Sequence, residues 1–227
     1  VADIDKRNLS TALVLIVCSA QAISGCGGSN SPTSATSTSG LQTVADMLTA
    51  SVTDPVGDTV IMPVVRNGIT VTPVVPIPSD LVAATLQVSG GNLMATISFA
   101  PGTLSHSDTL ACVMLDIDEN PATGTQSPSG DVRLGYDYSI CAVVPRGSTT
   151  AQVSRFNGDV AQTIGSVAVI FPSADKTAFT VPLSMLGGDN GRAAFKINVM
   201  QWVDDPIVST GPIDWMPDLG QPAALLR

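Results

Sequence analysis

An all-β fold, an antiparallel β-sandwich of jelly-roll or immunoglobulin-like type, is what this 227-residue sequence predicts. Three observations lead there. Apolar and polar residues alternate in run after run, the period of a strand with one buried face. Val, Ile and Thr are plentiful and helical periodicity is scarce. Each run ends at Gly, Pro, Asn or Asp, the residues that turn a chain.

The sandwich is preceded by two segments of another kind. Residues 1–25 have the parts of an export signal: a cationic start at Lys6 and Arg7, an apolar stretch from Leu9 to Ile23, and small residues before Cys26. The apolar stretch is about 15 residues long and is diluted by Ser10, Thr11, Ser19 and Gln21, whereas a spanning helix needs roughly 20. Ile23-Ser24-Gly25-Cys26 resembles the lipobox of bacterial lipoproteins, which implies lipidation at Cys26; the competing reading is an ordinary cleaved signal with Cys26 incidental. Residues 26–40 are the lipidated cysteine and a tether. From Gly27 to Gly40 there is no charge and Ala35 is the sole apolar residue, so the segment cannot bury enough surface to offset its ordering entropy. The expected location is the cell envelope, outside the cytoplasm and anchored by lipid. Gly27, in place of a retaining aspartate, favours an outer membrane where the cell has one.

Residues 41–227 suit a single domain. Val82, Ala84, Leu86 and Val88 alternate, then Leu93, Ala95, Ile97 and Phe99, with Ser89-Gly90-Gly91-Asn92 between them as a hairpin turn. Further inward sets are Val167, Val169 and Phe171; Phe179, Val181 and Leu183; and Phe195, Ile197 and Val199. Pro182 to Leu186, before Gly187-Gly188, reads as one helical turn.

Cys18 falls in the signal and Cys26 at the anchor, which leaves Cys112 and Cys141 as an even pair in an exported domain. A disulfide is the expected state, with two separate buried thiols as the alternative. If residues 109–118 and 135–144 are antiparallel neighbours and Cys112 faces Cys141, then Met114 faces Ser139 and Asp116 faces Asp137. Side chains two apart share a face. The disulfide would thus gather Asp116, Asp118 and Asp137 on one side, where facing aspartates repel unless a positive group lies between them.

Asp116-Ile117-Asp118-Glu119-Asn120-Pro121-Ala122-Thr123-Gly124 is the main chemical motif. Alternating oxygen side chains at a strand end, followed by a tight turn, suit a hard cation, and calcium takes six to eight such oxygens. Asp116, Asp118, Asn120 and Asp137 are the candidate ligands. An EF-hand is excluded, because Pro121 stands where the glycine is required and Ser127 where the bidentate glutamate is. One histidine and no free thiol pair make a transition metal the poorer fit.

This pattern, with Gly135-Tyr136-Asp137-Tyr138 after it, resembles the calcium-stabilised β-sandwiches related to family 9 carbohydrate-binding modules and DOMON domains. Asp54-Pro55-Val56-Gly57-Asp58 resembles their opening turn, and Asp214-Trp215-Met216-Pro217-Asp218-Leu219-Gly220 their closing segment. The resemblance implies a sandwich with a structural calcium near the Asp116–Asp137 hairpin; it implies no single function, since one fold hosts many. Carbohydrate-binding relatives use exposed aromatic platforms, for which Trp202 and Trp215 are the candidate ligand-binding residues.

No catalytic constellation stands out. The sole histidine, His106, sits in a polar Ser105-His106-Ser107 turn, and there is no Gly-x-Ser-x-Gly elbow, phosphate-cradling loop or dinucleotide fingerprint. The net charge is −9, and loss of the leader removes two acids and two bases, so it stays there. That opposes nucleic acid as a partner. The expectation is a non-catalytic binding or structural domain with a structural calcium. Its partners would be the membrane, through the lipid, and a glycan or envelope protein. The alternatives are a glycan-binding module for polysaccharide capture and a glycosidase-like enzyme using the acidic cluster.

Overall fold

A computed structural model describes residues 47–60, 64–66, 69–71, 77–104, 109–126, 134–144, 149–188, 190–201 and 213–227. The leader, Cys26, the tether, His106 and Trp202 lie outside the described residues.

In chain order the strands are β1 (Leu48–Thr53), β2 (Val64–Arg66), β3 (Ile69–Val71), β4 (Leu81–Ser89) and β5 (Asn92–Phe99). Next come β6 (Thr109–Asp116), β7 (Thr125–Gln126), β8 (Gly135–Tyr136), β9 (Tyr138–Val144) and β10 (Thr150–Asn157). The last are β11 (Val160–Ser173), β12 (Lys176–Pro182), β13 (Ala193–Gln201), β14 (Ile213–Met216) and β15 (Ala224–Leu226). The one described helical element is the 3₁₀ turn Leu183–Leu186, at the place expected, closed by Gly187 in the left-handed region.

All the pairings are antiparallel. One continuous path runs β1-β4-β5-β12-β11-β10-β9-β6-β13-β14, with β15 also on β13; β2-β3 and β7-β8 are separate small ladders. β11 links the two layers of the sandwich. Its Val160–Ala168 portion pairs with β10, and Val169 onward pairs with β12. The ends of the path then approach each other, so the sandwich nearly closes into a barrel. Val60 and Ile213 exchange backbone hydrogen bonds of 2.9 and 2.8 Å, and Leu81 N–H at the start of β4 donates to Asp214 on β14 at 2.6 Å.

The predicted hairpin is present as expected. Gly90 and Gly91 form its two-residue turn with φ of 56° and 76°, the conformation a tight hairpin asks of both central residues. Inward-facing Leu86, Ile97, Val113, Ile140, Val153 and Ile197 are all 0% exposed and share one core between the layers. Burying each such side chain contributes about 1.5–3 kcal/mol.

Two sequence expectations change. The runs 109–118 and 135–144 are not unbroken strands: β6 stops at Asp116, and Asp137 interrupts the second run between β8 and β9. The chain must turn at both places to bring the acids off the strands. Phe171 faces solvent at 47% exposure, although Val169 is buried as its pattern demands. The β11–β12 register shifts between Ile170 and Ser173, and a one-residue slip sends the next side chain to the other face.

Candidate metal centre

The ladder between β6 and β9 sets Cys112 opposite Cys141, Met114 opposite Ser139 and Leu115 opposite Tyr138. Cys112 and Cys141 are disulfide-bonded, with Cα atoms 4.1 Å apart. The register stops one pair short of Asp116 and Asp137, where Asp137 N–H donates to Leu115 O at 2.8 Å. Beyond it the carboxylates converge: Asp116, Asp118 and Asp137 each offer an oxygen within 4.8 Å of the others.

Backbone amides hold these groups in place. Asn120 N–H donates to Asp116 Oδ1 at 3.1 Å and to Asp118 Oδ1 at 2.9 Å, and Ile117 N–H donates to Asp137 Oδ2 at 3.1 Å. Thr123 Oγ1 donates to Asp118, 2.9 Å from its Oδ2. Asn120 itself is exposed, and its side-chain oxygen accepts from Ala122 N–H at 3.1 Å. Its observed part is therefore to organise the turn through its own N–H.

The charges are unbalanced. Asp116 is 1% exposed, and burial, reinforced by the neighbouring Asp118, pushes its carboxyl up to about 7. Burial also raises Asp137, against the pull of the Ile117 amide. Burial is the largest single influence on Asp118 and raises it, but the hydrogen bonds from Thr123, Asp116 and the Asn120 amide together leave its carboxyl lowered. Without a cation, Asp116 therefore holds back from ionising until about pH 7. The donors suit calcium. They are hard oxygens alone, and two oxygens each about 2.3–2.6 Å from one ion lie at most about 5 Å apart, the spacing seen here.

Close backbone packing fixes the loop against β8. A Cβ on Gly135 would lie 1.8 Å from Thr123 O, and one on Gly124, at φ +64°, would lie 2.4 Å from Gly135 O. Gly135→Ala must push the acidic loop off the strand that leads into Asp137. A loss of about 1–3 kcal/mol in chemical denaturation is expected, with weakened calcium dependence. Glu119 takes a left-handed φ of 53° within the loop and is held by Arg227 and, at 3.7 Å, by Arg192. Those two guanidiniums lower its carboxyl, Arg227 foremost.

A second convergence escaped the sequence reading. Asp54, Asp58 and Asp214 also offer oxygens within 4.8 Å of one another. They stand after β1 and in β14, far apart in the chain, and lone aspartates ordinarily mark solvated turns or caps. The signal available was that both segments are doubly acidic, Asp54 with Asp58 and Asp214 with Asp218.

Trp215 is 6% exposed, inside the wall of a cavity of about 330 Å³ and not on an open platform. Met114, Tyr136, Phe156, Met200 and the disulfide share that wall, with Tyr136 and Phe156 edge to face at 4.8 Å. Two polar atoms in its lining residues, Asn198 Oδ1 and Trp215 Nε1, are buried without a hydrogen-bond partner among the described residues.

No family model matches this chain, and neither does a curated protein or a solved structure.

Proposed function

We propose that this chain is a lipid-anchored, extracytoplasmic, non-catalytic binding or structural domain that carries a structural calcium on Asp116, Asp118 and Asp137. The observation that carries this reading is the convergence of three carboxylates at the ends of two disulfide-linked strands, one of them almost wholly buried. Such a group is costly to leave charged and unpaired. Calcium would neutralise it and pin the loop, stiffening one end of the sandwich. The anchor rests on Cys26 and its flanking sequence.

The test is a thermal melt of the chelated protein with calcium restored in steps. At a hundredfold excess over the dissociation constant, binding to the folded state alone adds about 2.7 kcal/mol. For a domain of this size that raises the midpoint by roughly 5–10 °C. Asp116→Asn with Asp118→Asn should remove the part of that gain that comes from this site. A midpoint indifferent to calcium in the unaltered protein sinks the reading.

Glycan capture is the second reading, and one observation favours it. The Trp215 cavity has an apolar aromatic wall, and behind it lie an acceptor, Asn198 Oδ1, and a donor, Trp215 Nε1, buried and unpartnered among the described residues. A sugar presents both an apolar face and hydroxyls that donate and accept. A glycan array probed with the unaltered protein and with Trp215→Ala decides it: signal lost on substitution supports capture, and silence on every glycan removes it.

A further inference from the structure

We infer that Asp54, Asp58, Asp80 and Asp214 form a second cation site, distinct from the β6–β9 loop, at which a divalent ion clasps the two edges of the sandwich together.

The four acids come from three separate places. Asp54 and Asp58 flank the turn after β1, Asp80 precedes β4, and Asp214 lies in β14 at the far end of the sheet path. Asp54, Asp58 and Asp214 bring carboxylate oxygens within 4.8 Å of one another. Asp80 joins them through the turn itself, since Gly57 N–H, between Asp54 and Asp58, donates to Asp80 Oδ2 at 2.9 Å.

Acidic residues often gather without a ligand, so the unsatisfied atoms decide the matter. Asp80 is 5% exposed, and with Oδ2 tied to the turn, its Oδ1 is buried without a hydrogen-bond partner. Asp54 Oδ2 and Asp58 Oδ1 are buried and unpartnered as well. Buried carboxylate oxygens are almost always paired, because stripping them of water is costly. Three orphaned acceptors around one turn, with no donor to them among the described residues, leave a gap that a cation fills. Asp214 differs: its oxygens accept from Leu81 N–H at 2.6 Å and Trp215 N–H at 2.8 Å, so it is a rigid wall of the site. The donors are again oxygens alone, which suits calcium or magnesium better than softer metals.

The electrostatics agree with the geometry. Burial first, and then the charges of Asp214 and Asp58, push Asp54 up to about 7. Burial together with Asp58 raises Asp80, against the Gly57 amide.

The location gives the ion its role. Beside the cluster, the Val60–Ile213 bridge and the Leu81–Asp214 hydrogen bond join the edges of the two layers. Among the described residues few backbone bonds cross this seam, and the carboxylates on both sides repel. A cation turns that repulsion into a link.

Titration calorimetry of the chelated full chain with calcium alone is the test. Two ions per chain are expected. Asp80→Asn should abolish one, leave the other, and raise the ion-free melting midpoint, because an amide can donate to the carboxylates it faces. A merely structural Asp80 would give no such split. Asp58→Asn, in an exposed turn, is the second variant and should also lose one ion. Asp116→Asn with Asp118→Asn should leave this ion bound. That outcome separates the two sites even if the loop site fails. The inference is overturned if the unaltered chain binds no calcium. It is also overturned if Asp80→Asn and Asp58→Asn keep full stoichiometry, or if all binding disappears with Asp116 and Asp118.

Discussion

In calcium-free buffer the folded state is expected to lose stability as the pH rises from about 4 to about 7. An aspartate in the unfolded chain gives up its proton near 4. In the folded chain Asp116 and Asp54 keep theirs to about 7, and Asp214 to about 6, each chiefly because burial penalises the charged form. Between those limits the folded state binds more protons than the unfolded state, so stability must fall with increasing pH. Each retained proton contributes a slope of about 1.4 kcal/mol per pH unit, with neighbouring acids sharing part of it. The lowered carboxyls, Asp118 and Glu119, act with the opposite sign, but only as the pH falls through their own range below about 4.

Calcium should flatten or reverse this trend, because the ion competes with the proton and prefers the charged acids. Affinity should therefore climb through the same window. Urea denaturation at half-unit pH steps, with chelator and with saturating calcium, reads both effects. Chelated protein that grows more stable from pH 4 to 7 contradicts the buried, unbalanced carboxylates. This prediction draws on both acidic clusters, so the Asp116→Asn and Asp80→Asn variants should each remove part of the slope.

The second large effect is expected from reduction of Cys112–Cys141. The bond spans 29 positions and ties directly paired strands. On the chain-entropy account a loop of that length stabilises by roughly 3–4 kcal/mol, through restriction of the unfolded ensemble. Cys112→Ala with Cys141→Ala should lower the midpoint by roughly 6–16 °C. The core should survive, since Val113 and Ile140 beside the cysteines are fully buried in the main apolar core between the layers. Calcium should recover part of the loss, because Asp116 ends one of these strands and Asp137 immediately precedes the other. A midpoint unmoved by reduction would show that strand pairing alone already restrains the chain.

How much of this was legible beforehand depends on the reach of each signal. The Gly90-Gly91 hairpin follows from a two-residue turn between alternating runs, a purely local pattern. The loop site was legible because one register, fixed by two cysteines, carries Asp116 to Asp137 a few residues on. The ladder itself ends one pair earlier, at Leu115 and Tyr138, because a register does not show where its strands stop. The set Val167, Val169 and Phe171 covers only part of β11, because a strand that bends from one layer to the other does not keep one alternating face along its length. Lys196 could not have been foreseen as 0% exposed. It projects from the sheet's outer face, and the later segment covers it, with Nζ donating to Asp218 O at 3.1 Å.

Periodicity, turn chemistry and the spacing of two cysteines were enough to establish an antiparallel β domain and one acidic loop, because each of these acts over a few residues or across one pair of strands. The Asp54–Asp58–Asp80–Asp214 cluster arises only when the first and last strands of the path meet. Until that seam closes, each of those aspartates is open to water; closing it buries them and brings their oxygens together.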